Sequence, residues 1–177
     1  MQKLIFHASP CCGLKVIEPR NNTIPEGFGK GPVVFATDIL AFATQFIVSH
    51  DDSWANGGAI GDTFFFVVSD KDRFKKADKG GCIYLISSDG FVNYNKREWF
   101  SKKAVKPKSW IHFRSGLEAM LVNGVQVYFV DTNTYKKIEE SPDHGISVLN
   151  NLKSENEKKG FPIVKFDIYK GSKKPAI

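Results

Sequence analysis

The stretch Leu4-Ile5-Phe6-His7-Ala8-Ser9-Pro10 decides how the chain begins to fold. It is an apolar run that ends in a histidine, a hydroxyl and a proline. Ile and Phe favour strands, and Pro10 cannot continue a sheet ladder because it has no N–H to donate. The stretch therefore predicts a short buried strand that presents His7 and Ser9 at its C-terminal end, where scaffolds often hold functional groups. A core or rim histidine bonded to the backbone is an equally simple interpretation of His7.

The composition is that of a folded chain. Of the 177 residues, 42% are apolar and 13% aromatic, which is enough to bury a core. We expect one domain over residues 1–170 and a basic tail over 171–177. No apolar run approaches the ~20 residues that a membrane-spanning helix needs, and no secretory leader precedes the first strand.

The cysteines favour a reducing compartment. Cys11 and Cys12 are adjacent, and the total of three is odd. With no Cys-x-x-Cys spacing, this predicts reduced thiols in the cytoplasm, or in a host cytosol after export without a classical leader, rather than a disulfide framework. The four scattered histidines and the same cysteine spacing predict no metal site.

The charge favours anionic partners. The net charge is +6 and the pI is about 9.2. Five basic and two acidic residues lie within 71–79, and six basic and one acidic within 96–108. Such runs are usually solvated loops or edge strands, and no aromatic-basic motif of a known nucleic-acid reader accompanies them. Nucleic acid therefore stays an alternative partner.

The hydrophobic pattern predicts more strands than helices. The predicted strands span 4–10, 32–36, 63–69, 81–87, 98–101, 104–113, 125–130 and 162–169, with a weaker one in 89–97. The predicted helices are 38–49 with Thr37 as cap, 115–122 opened by a Ser115/Glu118 capping box and ended by Gly124, and one from 141–143 to Gly160. Segments 51–62 and 71–79 are interpreted as loops. Regular crossover helices are missing, which favours an α+β fold.

Three motifs resemble a known family. They are His7-Ala8-Ser9, then Gly13-Leu14-Lys15, then the run from Gly29 to Thr37 that leads into a helix. In this order they resemble the diphtheria-toxin-like and poly(ADP-ribose) polymerase-like ADP-ribosyltransferases. The resemblance covers roughly the first fifty residues and one later strand, 126–131. It implies a split, mixed or antiparallel sheet that clasps NAD, flanked by a few helices.

The resemblance also implies roles for individual residues. His7 would hold a ribose hydroxyl, while Ala8 and Ser9 would fix the nicotinamide amide and its ribose. Lys15 would lie near the cofactor phosphates. Phe35 belongs to the second motif strand, and the helix after it would offer Phe42 and Phe46 to the nicotinamide ring. The family's stacking tyrosine falls on Gln45, one position before Phe46.

The catalytic acid is the main departure from the family pattern. In the family a glutamate heads a strand, and in this sequence Gln126 occupies that place. Gln carries no charge, so it stabilises a cationic sugar less well than a carboxylate. Glu118, Asp131 and Glu98 are the other candidates. We expect Glu118 to be half of the capping box, Asp131 to lie at the wrong end of its strand, and Glu98 to lie on the surface.

The sequence supports three hypotheses for function. The first is an ADP-ribosyltransferase that moves ADP-ribose from NAD to an acceptor, which is protein, nucleic acid or small molecule. The second is a catalytically degenerate module that keeps the fold and uses its basic surface on nucleic acid or an acidic protein. The third is a related enzyme that acts on ADP-ribose-like groups or phosphorylated RNA ends.

Overall fold

The computed structural model describes residues 3–20, 24, 28–143 and 145–158, the last four of them by backbone alone. This part of the chain forms nine strands and five helices. In chain order they are β1 (Leu4–Ser9), β2 (Val34–Thr37), α1 (Leu40–Thr44), β3 (Ala55–Ile60), β4 (Thr63–Val68), α2 (Lys71–Ala77), β5 (Gly81–Ser87), β6 (Val92–Asn93), β7 (Glu98–Ser101), β8 (Ser109–Phe113), α3 (Gly116–Val122), β9 (Gln126–Phe129), α4 (Thr132–Glu139) and α5 (Ile146–Lys158).

The strands form two sheets. Six strands in the order β6-β7-β2-β1-β5-β8 make an antiparallel sheet, and β3-β4-β9 make a smaller one. In the smaller sheet β3 and β4 are antiparallel, whereas β4 and β9 are parallel. The predicted α+β class, with a mainly antiparallel sheet and a few helices, is confirmed.

The six-stranded sheet has a packed layer on each face. On one face Ile5 and Tyr84 belong to an apolar cluster that Leu14 and Val105 cover. On the other face Phe6 and Ala8 contact the cluster of Ala43, Ile47, Ile83 and Ala119, which joins α1 and α3 to the sheet. The alternation along β1 therefore separates its side chains between two layers, as the period of a strand requires.

The three-stranded sheet is built around β4. Phe64, Phe66 and Val68 belong to the cluster that includes Trp54, Phe74 and Met120. The intervening Phe65 and Val67 face the opposite cluster, with Tyr128, Tyr135, Ile138 and Leu149. Because β4 buries both of its faces, it is apolar along most of its length.

Several elements differ from the sequence prediction. Segment 51–62 contains β3, whose glycines suggest a loop, but a Cβ at Gly57 would overlap Gln45 and one at Gly58 would overlap Phe65. These glycines therefore permit close packing. The basic segment 71–79 contains α2, which Asp70 caps through the Arg73 amide at 2.8 Å. The helix α4 was not predicted. Asp131 is its N-cap and accepts from the Asn133 and Thr134 amides.

Two predicted helices begin later than expected. The helix expected over 38–49 is reduced to α1, and Thr37 belongs to β2, with its hydroxyl accepting from the Ile39 amide at 3.1 Å. The last helix starts at Ile146. By contrast, Ser115 caps α3 as predicted, by accepting from the Glu118 amide at 3.2 Å.

The prediction of reduced thiols is wrong for two of the three cysteines. Cys12 and Cys82 form a disulfide, and Cys11 is free and exposed. The pair joins the segment after β1 to β5, which are distant in sequence, and an odd count gives no sign of such pairing. The cysteines therefore no longer support a cytoplasmic location.

The strand predicted over 162–169, the end at Gly160 and the tail over 171–177 lie outside the described residues. Within the described ranges, no helix combines the length and apolar character needed to cross a bilayer.

Candidate functional site

A cleft of about 980 Å³ opens where β1 and β2 separate. The register of the two strands consists of a single pair, Phe6 with Thr37, whereas β1 pairs with β5 along its whole length from Leu4 to Ser9. Beyond that pair the residues His7 to Pro10 on one side, and Val33 to Ala36 on the other, line the cleft. The volume is at the upper end of the range for small-molecule sites, about 300–1,000 Å³.

His7 bridges the two separating strands through its side chain. Its Nδ1 lies 2.7 Å from the carbonyl oxygen of Phe35. A carbonyl can only accept, so Nδ1 carries the proton and donates. Burial lowers the pKa of His7, the bond to Phe35 opposes that shift, and the positive charge of Arg20 adds to it. The neutral ring therefore keeps Nε2 as an acceptor, which is what a sugar hydroxyl requires.

The end of β1 is fixed by the segment that crosses above β5. The Tyr84 hydroxyl donates to the Cys11 carbonyl at 2.8 Å and accepts from the Leu14 amide at 3.0 Å. Ser9 is buried and accepts from the Cys11 amide at 3.1 Å. Its hydroxyl proton is left to donate at the cleft, which both Ala8 and Ser9 line.

Aromatic side chains line the cleft as well. Phe42 and Phe46, on and just after α1, lie edge to face with ring centroids 5.2 Å apart. Phe46 is 47% exposed, a large fraction for a phenylalanine. Both residues line the cleft together with Phe35. Gln45 does not, because it is buried against β3 and reaches the Gly58 carbonyl.

Glu98 is the acid that the fold brings to this cleft. It heads β7, pairs with Thr37 of β2 and lines the cleft. The Asn95 side-chain amide donates to its carboxylate at 2.8 Å. Burial first, and then the Glu98 carboxylate, raise the pKa of Tyr94, so this neighbouring phenol stays protonated. Glu98 is half-buried and lies on a strand inside the sheet, so the expectation that it lies on the surface is wrong.

The remaining charges of the cleft are mixed. Arg20 is exposed and is paired through its backbone with Val33. Among the described residues that line the cleft, it is the one Lys or Arg. The carboxylates of Glu18, Asp51 and Asp52 line the same cleft. Lys15 is exposed and does not line it. Thus Arg20, and not Lys15, is the cation available to an anionic group bound there.

The other acid candidates lie elsewhere. Gln126 is in the three-stranded sheet, where its Oε1 accepts from the Tyr128 hydroxyl at 2.6 Å beside a cavity of only about 80 Å³. Glu118 lies in the first turn of α3, and Asp131 caps α4. None of the three lines the large cleft. The structure therefore does not bring the predicted Gln126 and Glu118 together with His7.

Sequence reasoning underrated Glu98 because its position depends on strand pairing. The signal in the sequence was a glutamate at the head of an aromatic strand, Glu98-Trp99-Phe100-Ser101. The strand headed by Gln126 also contains aromatic residues. Only the pairing of β7 with β2 shows which of the two strands reaches the cleft.

In the described part of the chain, no group of three or more His, Cys, Asp or Glu side chains could hold a metal ion. No protein-family model matches this sequence, no curated protein matches it, and no solved structure matches the fold.

Proposed function

We propose that the protein is an ADP-ribosyltransferase-like enzyme that binds NAD in the cleft between β1 and β2 and transfers ADP-ribose to an acceptor. The proposal rests on the motif resemblance and on one structural observation. His7 and Glu98, which come from distant parts of the sequence, line the same cleft of about 980 Å³. Glu98 would supply the carboxylate that the family pattern places at position 126, where this sequence has Gln126.

The residues of the cleft suit the parts of NAD. The neutral His7 ring offers Nε2 to a ribose hydroxyl, and the Ser9 hydroxyl can donate to the nicotinamide carboxamide. Phe42 and Phe46 offer apolar rings to the nicotinamide, and Arg20 offers a guanidinium to the pyrophosphate. Lys15, which the resemblance assigned to the phosphates, has no part in this arrangement.

The chemistry needs one fixed negative charge. When the bond between nicotinamide and ribose breaks, nicotinamide leaves with the electron pair and the sugar carbon becomes positive. The Glu98 carboxylate, held by Asn95, would stabilise that charge, and preorganised electrostatics of this kind is usually the largest catalytic contribution. The acceptor or water then bonds to the sugar carbon and loses its proton to solvent.

The first experiment asks whether NAD is consumed. The purified protein is incubated with about millimolar NAD, and free nicotinamide is measured beside a thermal-shift titration. We expect release and stabilisation for the wild type, and loss of both for His7→Ala. Glu140→Gln, which removes an exposed carboxylate at the end of α4, is the control and should behave as the wild type. A wild type that shows neither nicotinamide release nor a thermal shift would refute the proposal.

A further inference from the structure

The edge strand β8 carries an exposed basic and aromatic stripe. Lys108, Trp110, His112 and Arg114 are exposed, while Ile111 and Phe113 between them are half-buried. Because side chains alternate along a strand, Trp110 and His112 share one face of β8, and Lys108 and Arg114 directly precede and follow the strand; we call these four residues the β8 stripe. Trp110 is 50% exposed, the largest value among the exposed large apolar side chains of the described residues.

Trp110 of β8 lies on the same face of the sheet as His7. Trp110 is paired with Tyr84 of β5, and Tyr84 is paired with His7 of β1. Residues that are directly opposite across neighbouring strands project from one face. The Cys11–Leu14 segment, held on Tyr84 and by the disulfide, lies on that face between the cleft and the stripe.

The cations of the β8 stripe are not among the ion pairs of the described chain. Those pairs are Lys3–Asp38, Arg73–Asp51 and Lys75–Asp72. The basic cluster of α2 is therefore partly neutralised, and its Arg73 also lies over the Trp54 ring at 4.9 Å. By contrast, Lys108 and Arg114 are exposed, and four more cations precede them at exposed positions of the β7–β8 connection and nearby: Lys96, Lys102, Lys103 and Lys106.

We propose that the β8 stripe binds single-stranded nucleic acid. Proteins bind such strands by combining cations that follow the phosphates with aromatic side chains on which bases stack. Trp110 supplies the stacking face, and Lys108, two residues before it, and Arg114, four residues after it, supply the cations. A duplex keeps its bases stacked inside and would leave Trp110 unused. Where the proposed function holds, the bound strand runs beside the cleft and identifies nucleic acid as the acceptor class.

The test is a fluorescence-anisotropy titration with labelled dT and rU oligonucleotides of about 12 nucleotides, at about 50 and 200 mM salt. We expect binding that weakens with salt. Trp110→Ala should weaken it about fivefold or more, and Trp110→Phe should restore most of the affinity because a base still stacks on phenylalanine. The double variant Lys108→Gln/Arg114→Gln should reduce the slope of log affinity against log salt by about 1.4, at about 0.7 per phosphate contact.

The matched control is Lys136→Gln/Lys137→Gln, which removes two exposed cations from α4. It should keep the wild-type salt slope. The proposal is refuted if the wild type does not bind at low salt, if Trp110→Ala binds as the wild type does, or if the control loses as much as the β8 variant. If the partner of β8 is instead a peptide strand that pairs with its backbone, the wild type will not bind the oligonucleotides at low salt.

Nicotinamide release separates this inference from the proposed function. Trp110 does not line the cleft, so Trp110→Ala should release nicotinamide from NAD at the wild-type rate when no acceptor is present. Oligonucleotide binding without NAD consumption would refute the enzyme alone. NAD consumption without oligonucleotide binding would refute the β8 stripe alone.

Discussion

The two sheets of this protein are held together in different ways. The three-stranded sheet depends on packing: β4 buries phenylalanine on both faces, and Phe66 and Val68 are fully inaccessible. The six-stranded sheet contains a gap. Its strands β1 and β2 separate after one pair, and a histidine side chain and a buried serine occupy the opening.

Of the two sheets, the one whose strands separate has room for a ligand. In the three-stranded sheet the strands stay paired and packed, and the cavity beside Gln126 is only about 80 Å³. The six-stranded sheet is packed on both faces but opens between β1 and β2, and the disulfide, Tyr84 and hydrogen bonds of polar side chains fix the segments beside the opening.

The largest effect should come from the packed sheet. Phe66 is fully buried, with ring centroids 4.9 Å from His50 and 6.2 Å from Phe74. We expect Phe66→Ala to lower the free energy of unfolding by about 3–5 kcal/mol, because it removes apolar contacts and leaves a cavity. Phe46→Ala, at the open cleft, should cost less than about 1 kcal/mol. Urea denaturation measures both, and equal losses would contradict the comparison.

The disulfide should contribute almost as much to the free energy of unfolding, by its link in the six-stranded sheet. It closes a loop across 70 residues, and a loop of that length stabilises the folded state by about 4 kcal/mol through the unfolded chain. Cys12→Ala/Cys82→Ala should lose about that amount in urea denaturation, and reductant should produce a similar loss in the wild type. Cys11→Ala is the control. A wild type that is indifferent to reductant would show that packing alone holds this sheet.

The next effect concerns rate and rests on the proposed function. Glu98→Gln should lower kcat for nicotinamide release by about 10²–10³, with KM changed only a few-fold, because the charge acts on the transition state. Gln126→Ala, in the packed sheet, should leave both constants within about twofold of the wild type. Steady-state kinetics at several NAD concentrations separates the two. A larger loss for Gln126→Ala would return the catalytic role to the position that the sequence alone suggested.

Much of the fold was predictable because local signals agree with the tertiary structure. The strands β1, β4 and β5 coincide with apolar runs, and Ser115 and Gly124 delimit α3 as a cap and a stop should. These elements have the residues that their local conformation requires, independently of their neighbours.

The rest depended on contacts between distant segments. Gly57 and Gly58 suggest a loop, but they lie in a strand that pairs with β4, and they are glycine because Gln45 and Phe65 leave no room for a side chain. The partner of Cys12 is 70 residues away. The sequence motifs singled out His7, Ser9, Phe42 and Phe46, which line the cleft. The position of Glu98 in the same cleft depends on the pairing of β7 with β2. A single sequence carries no direct signal of such pairing.

The smallest effect concerns Asp78, which holds the start of α3. It lies between α2, whose Phe74 packs in the cluster of Phe66, and β5 of the open sheet. Its carboxylate accepts from the Ser115 hydroxyl at 2.7 Å and from the Gly116 and Leu117 amides at 2.6 and 3.1 Å. Burial alone would raise the pKa of Asp78, but these bonds and the one from Gly80 outweigh it and lower the pKa below its ordinary value.

A lowered pKa means that the carboxylate stabilises the folded state above the ordinary aspartate pKa of about 4, and that this contribution disappears as the pH falls through the folded-state pKa. We expect Asp78→Asn to lower the free energy of unfolding at pH 7 by about 1–2 kcal/mol, because both carboxylate oxygens accept from backbone amides and the NH2 group of asparagine cannot accept. Asp70→Asn is the matched control, since asparagine caps α2 as well as aspartate does. Urea denaturation from pH 7 to pH 3 should show the gap between wild type and Asp78→Asn closing below about pH 4. A gap that stayed constant over this range would mean that the charge at position 78 contributes nothing to the stability of the fold.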